Sequence, residues 1–331
     1  MSKKKILYFN PTELLDLVFE SSLLGGDEDY ELVMVKGVPE SEFLRYAADA
    51  DAVAVDAVEI TDDILRQMPN CKVMVRRGLG FDCFHLDAFT KNGVLACNVP
   101  GYCQQEVALH HITLALSCLR HVTVLNERLH KGDGNYDDIH MHRPSSMVFG
   151  IISFGAIPRT MVPTLKALGF RVVAWDPYLP EEFFTKTEVE RIGELNDLLA
   201  MSDVVSVNTP LFEGTRNLIS REAISKIKKG AVVICTSRGG IIDEEALRDA
   251  ILDGQLSGCG LDVLADEVNF TTPLVGIKNA ILTPHVAYYT EEAEEDLRIQ
   301  TLQIMHETLK NRTYPKSLLN RDVIGKSRLE K

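Results

Sequence analysis

No run of apolar residues in this sequence approaches the length needed to cross a bilayer. The stretch behind the basic residues 1–5, Ile6-Leu7-Tyr8-Phe9 before Asn10-Pro11, is too short for the core of a secretory signal. No membrane partner is therefore expected, and the protein is expected in the cytoplasm. Basic residues are in deficit as well: 35 Lys and Arg against 48 Asp and Glu leave a net charge of −13. That balance opposes nucleic acid and acidic lipid, which both require a basic surface, and leaves a small molecule as the better partner. No C-x-x-C pair occurs among the seven cysteines, Cys71, Cys83, Cys97, Cys103, Cys118, Cys235 and Cys259. Free thiols in a reducing compartment are expected rather than a disulfide framework. Cys97 and Cys103 flank Pro100-Gly101, and small buried hydrophobes describe them better than a redox pair. Short-period repeats and low-complexity tracts are missing too.

What is present is apolar material in a regular order. With 331 residues, 45% of them hydrophobic, the chain can bury a large core, and its length favours two domains. Short apolar runs stand at 5–9, 30–35, 52–55, 72–75 and 94–96. Between the third and fourth, Thr61-Asp62-Asp63 heads a segment reaching Met68 that reads as a capped helix. Strands alternating with helices imply a parallel sheet covered on both faces. Residues 104–129 then carry apolar positions at helical spacing without Pro or Gly, which predicts one long helix leading into a second domain. Residues 131–146, rich in Gly, Asp, His and Pro, read as a surface loop. The strand pattern restarts at 147–152, 172–175, 204–207, 231–234, 258–263 and 280–282. Six strands with helices between them match a doubly wound dinucleotide fold, so the fold class is α/β with two Rossmann-like domains. Residues 291–310, acidic at their start as a helix N-terminus favours, predict a last helix that folds back onto the first domain.

A Rossmann fingerprint needs a strand, a glycine-rich turn, a helix start and an acidic residue about twenty positions later. Phe149-Gly150-Ile151-Ile152-Ser153-Phe154-Gly155-Ala156-Ile157-Pro158 supplies the strand and the turn, and Asp176 closes the next strand. Ser153 and Pro158 replace the first and third glycines, so only Gly155 is kept, where backbone approaches a pyrophosphate. Pro158 is tolerable in a first helical turn, whose N–H groups lack intrahelical partners. Ser153 takes a position whose backbone conformation favours glycine. On this segment alone an ordinary βαβ crossover would read the same way. Asp176 precedes Pro177-Tyr178 rather than Arg or Lys, which suits the ribose hydroxyls of NAD and opposes the 2′-phosphate of NADP.

Three polar segments each follow a predicted strand, the end at which an open parallel sheet binds ligands. They are Cys235-Thr236-Ser237-Arg238-Gly239-Gly240, Asp262-Val263-Leu264-Ala265-Asp266-Glu267 and Thr283-Pro284-His285-Val286-Ala287. Hydride transfer to a 2-keto acid calls for a cation on the keto and carboxylate oxygens and a proton donor for the forming alkoxide. It also calls for an acid that keeps the donor protonated near neutral pH. Arg238, His285 and Glu267 suit these roles. Singly each is commonplace; their joint placement points to chemistry.

These segments resemble the D-isomer-specific 2-hydroxyacid dehydrogenases, relatives of which include D-lactate and phosphoglycerate dehydrogenases, hydroxypyruvate reductases and the C-terminal-binding-protein corepressors. The stretch from Thr236-Ser237-Arg238-Gly239-Gly240 through Ile241-Ile242-Asp243-Glu244-Glu245-Ala246-Leu247 carries the likeness, with Gly260-Leu261-Asp262-Val263 and Thr283-Pro284-His285. It extends over nearly the whole chain. It implies that Arg238 binds substrate, that His285 is the acid/base, that Glu267 rather than Asp266 pairs with His285, and that Asp262 faces the nicotinamide carboxamide. It places NAD on Ser153, Gly155, Ala156, Ile157 and Asp176, and on Asn208, Thr209, Pro210, Thr236 and Ser237 after later strands. Val75-Arg76-Arg77-Gly78-Leu79-Gly80-Phe81-Asp82 resembles the family's substrate loop, in which the N–H groups of Leu79 and Gly80 would grip a carboxylate. Arg77 would either turn inward to a second carboxylate or stand outward as a solvated charge, and Tyr288 would supply an aromatic wall for the substrate tail. The implied architecture is a flavodoxin-like substrate domain from 1–99 and 290–331, and an NAD-binding domain from 100–289, with the active site in the cleft. The first crossover falls at Asn98-Val99-Pro100-Gly101-Tyr102, and relatives imply a homodimer.

The sequence also departs from its relatives: besides Ser153 and Pro158, Leu109 stands where Glu is frequent and Asn208 where His is. The acidic loop Asp56-Ala57-Val58-Glu59 lacks the cations that hold a phosphate in phosphoglycerate-type relatives. A small unphosphorylated 2-keto or 2-hydroxy acid is therefore the expected substrate. An NAD(H)-sensing binding protein, like the corepressor relatives, is the alternative function. No metal is expected: His110 and His111 point in different directions on a helix, and His140-Met141-His142 has no evident third ligand.

Overall fold

The apolar runs become two all-parallel sheets in the computed structural model, which describes residues 3–11 and 17–330. Met1 and Ser2 of the basic start lie outside the described residues. The first sheet contains β1 (Lys4–Phe9), β2 (Tyr30–Val35), β3 (Ala52–Val55), β4 (Val73–Arg76) and β5 (Leu95–Cys97), in the order β2-β1-β3-β4-β5. This is the flavodoxin-like order. Its connections contain α1 (Val18–Leu23), α2 (Phe43–Ala47), α3 (Asp62–Arg66) and α4 (Leu86–Asn92). All four residues of β3 are buried, which is why a strand covered on both faces reads as an unbroken apolar run. Thr61 does stand at the N-cap of α3, but its hydroxyl makes no capping bond, and Asp62 instead accepts from Lys91 and Asn92.

Seven strands, not the expected six, form the second sheet: β6 (Val148–Ile152), β7 (Arg171–Trp175), β8 (Glu190–Arg191), β9 (Val204–Val207), β10 (Ala231–Cys235), β11 (Leu256–Leu261) and β12 (Ala280–Leu282). The extra strand, β8, is two exposed charged residues and carries no apolar signal. The order β12-β11-β10-β9-β6-β7-β8 reverses direction between β6 and β9, which makes the end of β6 the topological switch point. The connections contain α5 (Gln104–Leu119), α6 (Val122–His130), α7 (Ala156–Ala167), α8 (Glu181–Thr187), α9 (Leu195–Met201), α10 (Arg221–Lys226) and α11 (Glu244–Leu252). One face of this sheet buries Val205, Val233 and Leu247, the other Phe149, Phe154 and Leu165. Each such side chain contributes roughly 1.5–3 kcal/mol of transfer free energy.

The single long helix expected over 104–129 is two helices. His121 adopts a left-handed conformation (φ 48°), and α6 leaves at an angle of 59° to α5. The break has a physical origin: α5 buries seven side chains, whereas α6 buries none and so has no core holding it in line. Among the described residues no single helix is long and apolar enough to cross a membrane. Pro158 occupies the third position of α7, within the tolerant first turn, while Pro163 lies inside the helix and removes a backbone donor there.

Residues up to Tyr102, together with those from Thr290 onward, form one compact unit, and Cys103–Tyr289 form another. The last helix, α12 (Glu291–Asn311), belongs to the first unit and packs on β3 and β4. Its Arg298 donates to the fully buried Glu20 of α1 at 2.8 and 2.9 Å. All seven cysteines are free thiols.

Candidate active site

Within the second unit, the C-terminal ends of β10, β11 and β12 carry the three polar segments. His285 Nδ1 lies 2.9 Å from Glu267 Oε2, and each side chain is about one-third exposed (34% and 35%). The other ring nitrogen, Nε2, makes no hydrogen bond among the described residues. Glu267 Oε1 also accepts from the Leu264 N–H at 3.3 Å. Burial pushes the Glu267 carboxyl up, but the His285 hydrogen bond and the His285 and Arg238 charges outweigh it, so it sits below the ordinary carboxylate range. Asp266, the rejected alternative, is committed elsewhere: Thr271 and Asn269 donate to it and hold it down at about 2. Arg238 is half-buried and gives one Nη1 donor to the Ser237 carbonyl at 2.7 Å.

Two residues brace this arrangement. Glu244 is buried in the first turn of α11 and accepts from the Ala265 N–H and the Thr272 hydroxyl, both at 2.7 Å, which pins the Glu267 loop. Gly239 abuts the same loop so closely that a Cβ there would lie 1.7 Å from the Leu264 carbonyl oxygen. The motif had marked Glu244 only as part of the likeness; its bracing role depends on a loop 21 positions away.

Asp262, expected against a carboxamide, is bound by donors of the protein itself. Its side chain has no exposed surface and accepts from the Thr283 hydroxyl (2.5 Å) and from the N–H groups of Val286 (3.0 Å) and Ala287 (2.9 Å). Those donors belong to the turn that carries His285, so the carboxylate anchors the turn from within.

At the switch point the cofactor turn has the expected shape with unexpected residues. Ser153 adopts φ 69°, the left-handed conformation that glycine would take without strain. A Cβ on Gly155 would meet nothing within 4 Å, so the turn is open to an approaching ligand, and α7 begins at the next residue. Ala156 is exposed and Ile157 partly so at that helix start. An open backbone at the N-terminus of a twelve-residue helix fits a dinucleotide pyrophosphate. Asp176, expected at the ribose, is 8% exposed and accepts from the N–H groups of Phe154 (2.9 Å), Tyr178 (2.9 Å) and Leu179 (3.0 Å). It clamps the cofactor turn while keeping its negative charge just past β7. Arg191, a cation the sequence reading overlooked, donates to the Asp176 carbonyl at 2.9 Å.

Asn208, Thr209 and Pro210 follow β9, and Thr236 and Ser237 follow β10. Asn208 donates to Ser206 Oγ at 2.9 Å, and the Pro210 carbonyl accepts from Thr215 Oγ1 at 2.6 Å. Thr236 Oγ1 lies 2.9 Å from His111 Nδ1, while Ser206 Oγ lies 2.7 Å from His111 Nε2. His111 is fully buried, and that burial, helped by the neighbouring His110, drives its imidazole down to about 3. It is a neutral strut beneath the nucleotide-side loops. Tyr288 is partly exposed three positions beyond His285. No group of three or more His, Cys, Asp or Glu side chains able to hold a metal occurs among the described residues.

In the first unit, the loop after β4 overturns both orientations considered for Arg77. Its side chain is 1% exposed and pairs with Asp56 at 3.1 Å, and burial pushes its guanidinium down to about 10. Arg77 is an internal ion pair. Pairing of Asp56 with Arg77 makes the charge of the acidic loop weaker than expected, and Glu59 lies 3.0 Å from His85 Nε2. The guanidinium that does lie on the loop is Arg76, bonded to the Arg77 carbonyl at 2.8 Å and resting on Gly78, whose missing Cβ would be 1.6 Å from Nη1. Leu79 is partly exposed, its carbonyl accepts from Asn98 at 2.7 Å, and the N–H groups of Leu79 and Gly80 make no hydrogen bond among the described residues. Two free N–H groups beside a cation suit an anion.

A dinucleotide-type α/β sheet with a His–Glu pair at its strand ends is the arrangement of a nucleotide-binding domain that carries an acid/base group. Residues 112–287 match the family model for the D-isomer specific 2-hydroxyacid dehydrogenase NAD binding domain. Hydroxypyruvate reductase of Thermotoga maritima is 31% identical over 289 residues, which are 86% of this chain and 92% of that protein. D-3-phosphoglycerate dehydrogenase of Methanocaldococcus jannaschii is 30% identical over 281 residues, 85% of this chain but 54% of that protein. The chain thus spans about half the length of the phosphoglycerate dehydrogenases it matches. The crystal structure of Aquifex aeolicus D-lactate dehydrogenase with NAD and lactic acid is similar at a TM-score of 0.80 and 28% identity, covering 92% of this chain and 96% of that one. The chain belongs to the D-isomer-specific 2-hydroxyacid dehydrogenase family, with its NAD-binding domain in the second unit.

Proposed function

We propose that the chain interconverts small, unphosphorylated 2-keto acids and D-2-hydroxy acids with NAD(H). The observation that carries this reading is the 2.9 Å His285–Glu267 pair, which leaves Nε2 as the ring atom open to a ligand. NADH, when bound, supplies the hydride. Glu267 remains a carboxylate through neutral pH, because its carboxyl lies below the ordinary range, and it holds the His285 ring through Nδ1. His285 donates its Nε2 proton to the oxygen that becomes the alkoxide and takes it back in the reverse direction. Arg238, half-buried after β10, would hold the keto and carboxylate oxygens through its guanidinium. The free N–H groups of Leu79 and Gly80 would bind the carboxylate, and Tyr288 would wall the substrate tail. Ser153, Gly155, Ala156 and Ile157 would cradle the pyrophosphate, with Asn208, Thr209, Pro210, Thr236 and Ser237 lining the rest of the nucleotide.

Two observations favour an unphosphorylated substrate: the loop at 56–59 holds no cation, and nearly the whole length of a hydroxypyruvate reductase is shared. Preference for NAD over NADP rests on the negative charge of Asp176 at the end of β7. The family resemblance supports a homodimer in the cytoplasm. The test is NADH oxidation against pyruvate, hydroxypyruvate, phenylpyruvate, oxaloacetate and phosphohydroxypyruvate, with His285→Ala and Arg238→Ala as controls. Turnover of an unphosphorylated acid that either substitution abolishes is expected. Phosphohydroxypyruvate as clear best substrate, or near-native turnover in His285→Ala, refutes the assignment.

A further inference from the structure

His285 is held in a conformation that its own backbone disfavours. Its φ is 54°, and a non-glycine residue in the left-handed region persists only where the surroundings over-determine it. The surroundings here can be followed atom by atom. The His285 N–H donates to the Asp262 carbonyl at 2.7 Å, and the next two N–H groups donate to the Asp262 carboxylate. Thr283, two residues before His285, gives its hydroxyl proton to Asp262 Oδ1 at 2.5 Å. That hydroxyl must then accept at its oxygen, and the group facing it is His110 Nε2 on α5, at 3.0 Å. The same nitrogen lies 3.6 Å from Asp262 Oδ1, and the His110 side chain is 24% exposed. The chain of donation therefore runs from His110 Nε2–H to Thr283, from Thr283 to Asp262, and ends on the turn that presents the acid/base. His110 itself is not part of that turn.

We infer that His110 is a positioning residue for the reaction: through Thr283 and Asp262 it locks the strained His285 turn so that Nε2 faces the reacting carbonyl. This rests on the proposed dehydrogenase chemistry and adds a specific element to it. A buried carboxylate that accepts three donors can shift if one donor loses its own support. The Thr283 hydroxyl is the donor with another rotamer available, and His110 removes that freedom.

The experiment compares His110→Ala, His110→Gln, Thr283→Val and the double variant His110→Ala/Thr283→Val in NADH-driven reduction of the best 2-keto acid, with NADH Kd and Tm measured alongside. Glutamine carries an N–H that can reach the same oxygen. His110→Ala is expected to lower kcat about ten- to a hundredfold, the scale on which small misplacement of a reacting group acts. NADH Kd should stay within about threefold, Gln should recover most of the loss, and the double variant should be no worse than Thr283→Val alone, since coupled residues are not additive. Unchanged kcat in His110→Ala overturns the inference, as does an equal loss in Ala and Gln or a loss confined to NADH Kd. No turnover by the native protein with any 2-keto acid would instead bring down the dehydrogenase reading, and this inference with it.

Discussion

Acid should loosen the nucleotide unit through one residue, His111. Burial takes its imidazole from 6.5 to about 3, so the folded chain refuses a proton that the unfolded chain binds readily. A base depressed in this way contributes stability that is whole above the unfolded value and is lost as pH falls towards the folded one. Between pH 8 and pH 5 the unfolded state gains about 1.5 units of proton free energy over the folded state, or roughly 2 kcal/mol, and the full loss by pH 3 is on the order of 5 kcal/mol. The geometry explains why the ring cannot evade this cost. The Ser206 hydroxyl accepts from Asn208 and gives its proton to His111 Nε2, while Nδ1–H points to Thr236. A protonated ring would force Nε2 to donate where it now accepts. His111→Gln removes the titration and keeps part of the bonding. The assay is urea unfolding at pH 8, 7, 6 and 5, read by Trp175, the sole tryptophan, at the end of β7 beside the cofactor turn. The native protein should lose about 2 kcal/mol more than His111→Gln over this range. Parallel pH dependences in the two proteins would refute the reasoning.

Ser153→Gly should stabilise the fold by about 1 kcal/mol, because a left-handed residue costs roughly that much relative to glycine, and urea midpoints would show it; a destabilised variant would contradict the strain. Glu267→Gln should lower kcat about tenfold or more, since the carboxylate that orients the His285 ring through Nδ1 is gone; an unchanged kcat would separate Glu267 from the proton transfer. Arg76→Ala should raise KM for the keto acid about tenfold with kcat little changed, the mark of uniform anion binding. A fall in kcat with constant KM would place Arg76 elsewhere.

How far the sequence could be read depended on whether the signal was local. The strands were legible because parallel strands covered on both faces must be apolar throughout, as β3 is. The His–Glu pair was legible because its members end successive strands, and strand ends in a parallel sheet converge. Side-chain direction at such an end was not. Arg76 and Arg77 are adjacent, yet Arg77 is swallowed in a pair with Asp56 of a neighbouring connection and Arg76 is left on the loop. The same holds for Asp262 and Asp176, each read as a ligand contact and each found accepting backbone N–H groups. A carboxylate near a glycine-rich turn has two possible customers, and spacing does not distinguish them. The bend at His121 has no Pro or Gly to announce it; it follows from where the core stops.

The first unit is assembled from two separate stretches, with the whole second unit between them. Its β5 carries a bridge from Cys97 to Leu318, and the Asn320 side chain accepts from the Ala96 N–H and donates to the Val94 carbonyl. During synthesis, therefore, the ribosome delivers five strands whose edge and covering helix α12 arrive nearly two hundred residues later. At roughly 5–20 residues per second the unfinished sheet waits ten seconds or more, an interval in which its edge is open to other chains. The uninterrupted 103–289 stretch faces no such delay. The second unit is thus expected to fold before the first, and a nascent chain halted before residue 290 should hold a structured nucleotide unit behind a protease-sensitive N-terminal hundred residues.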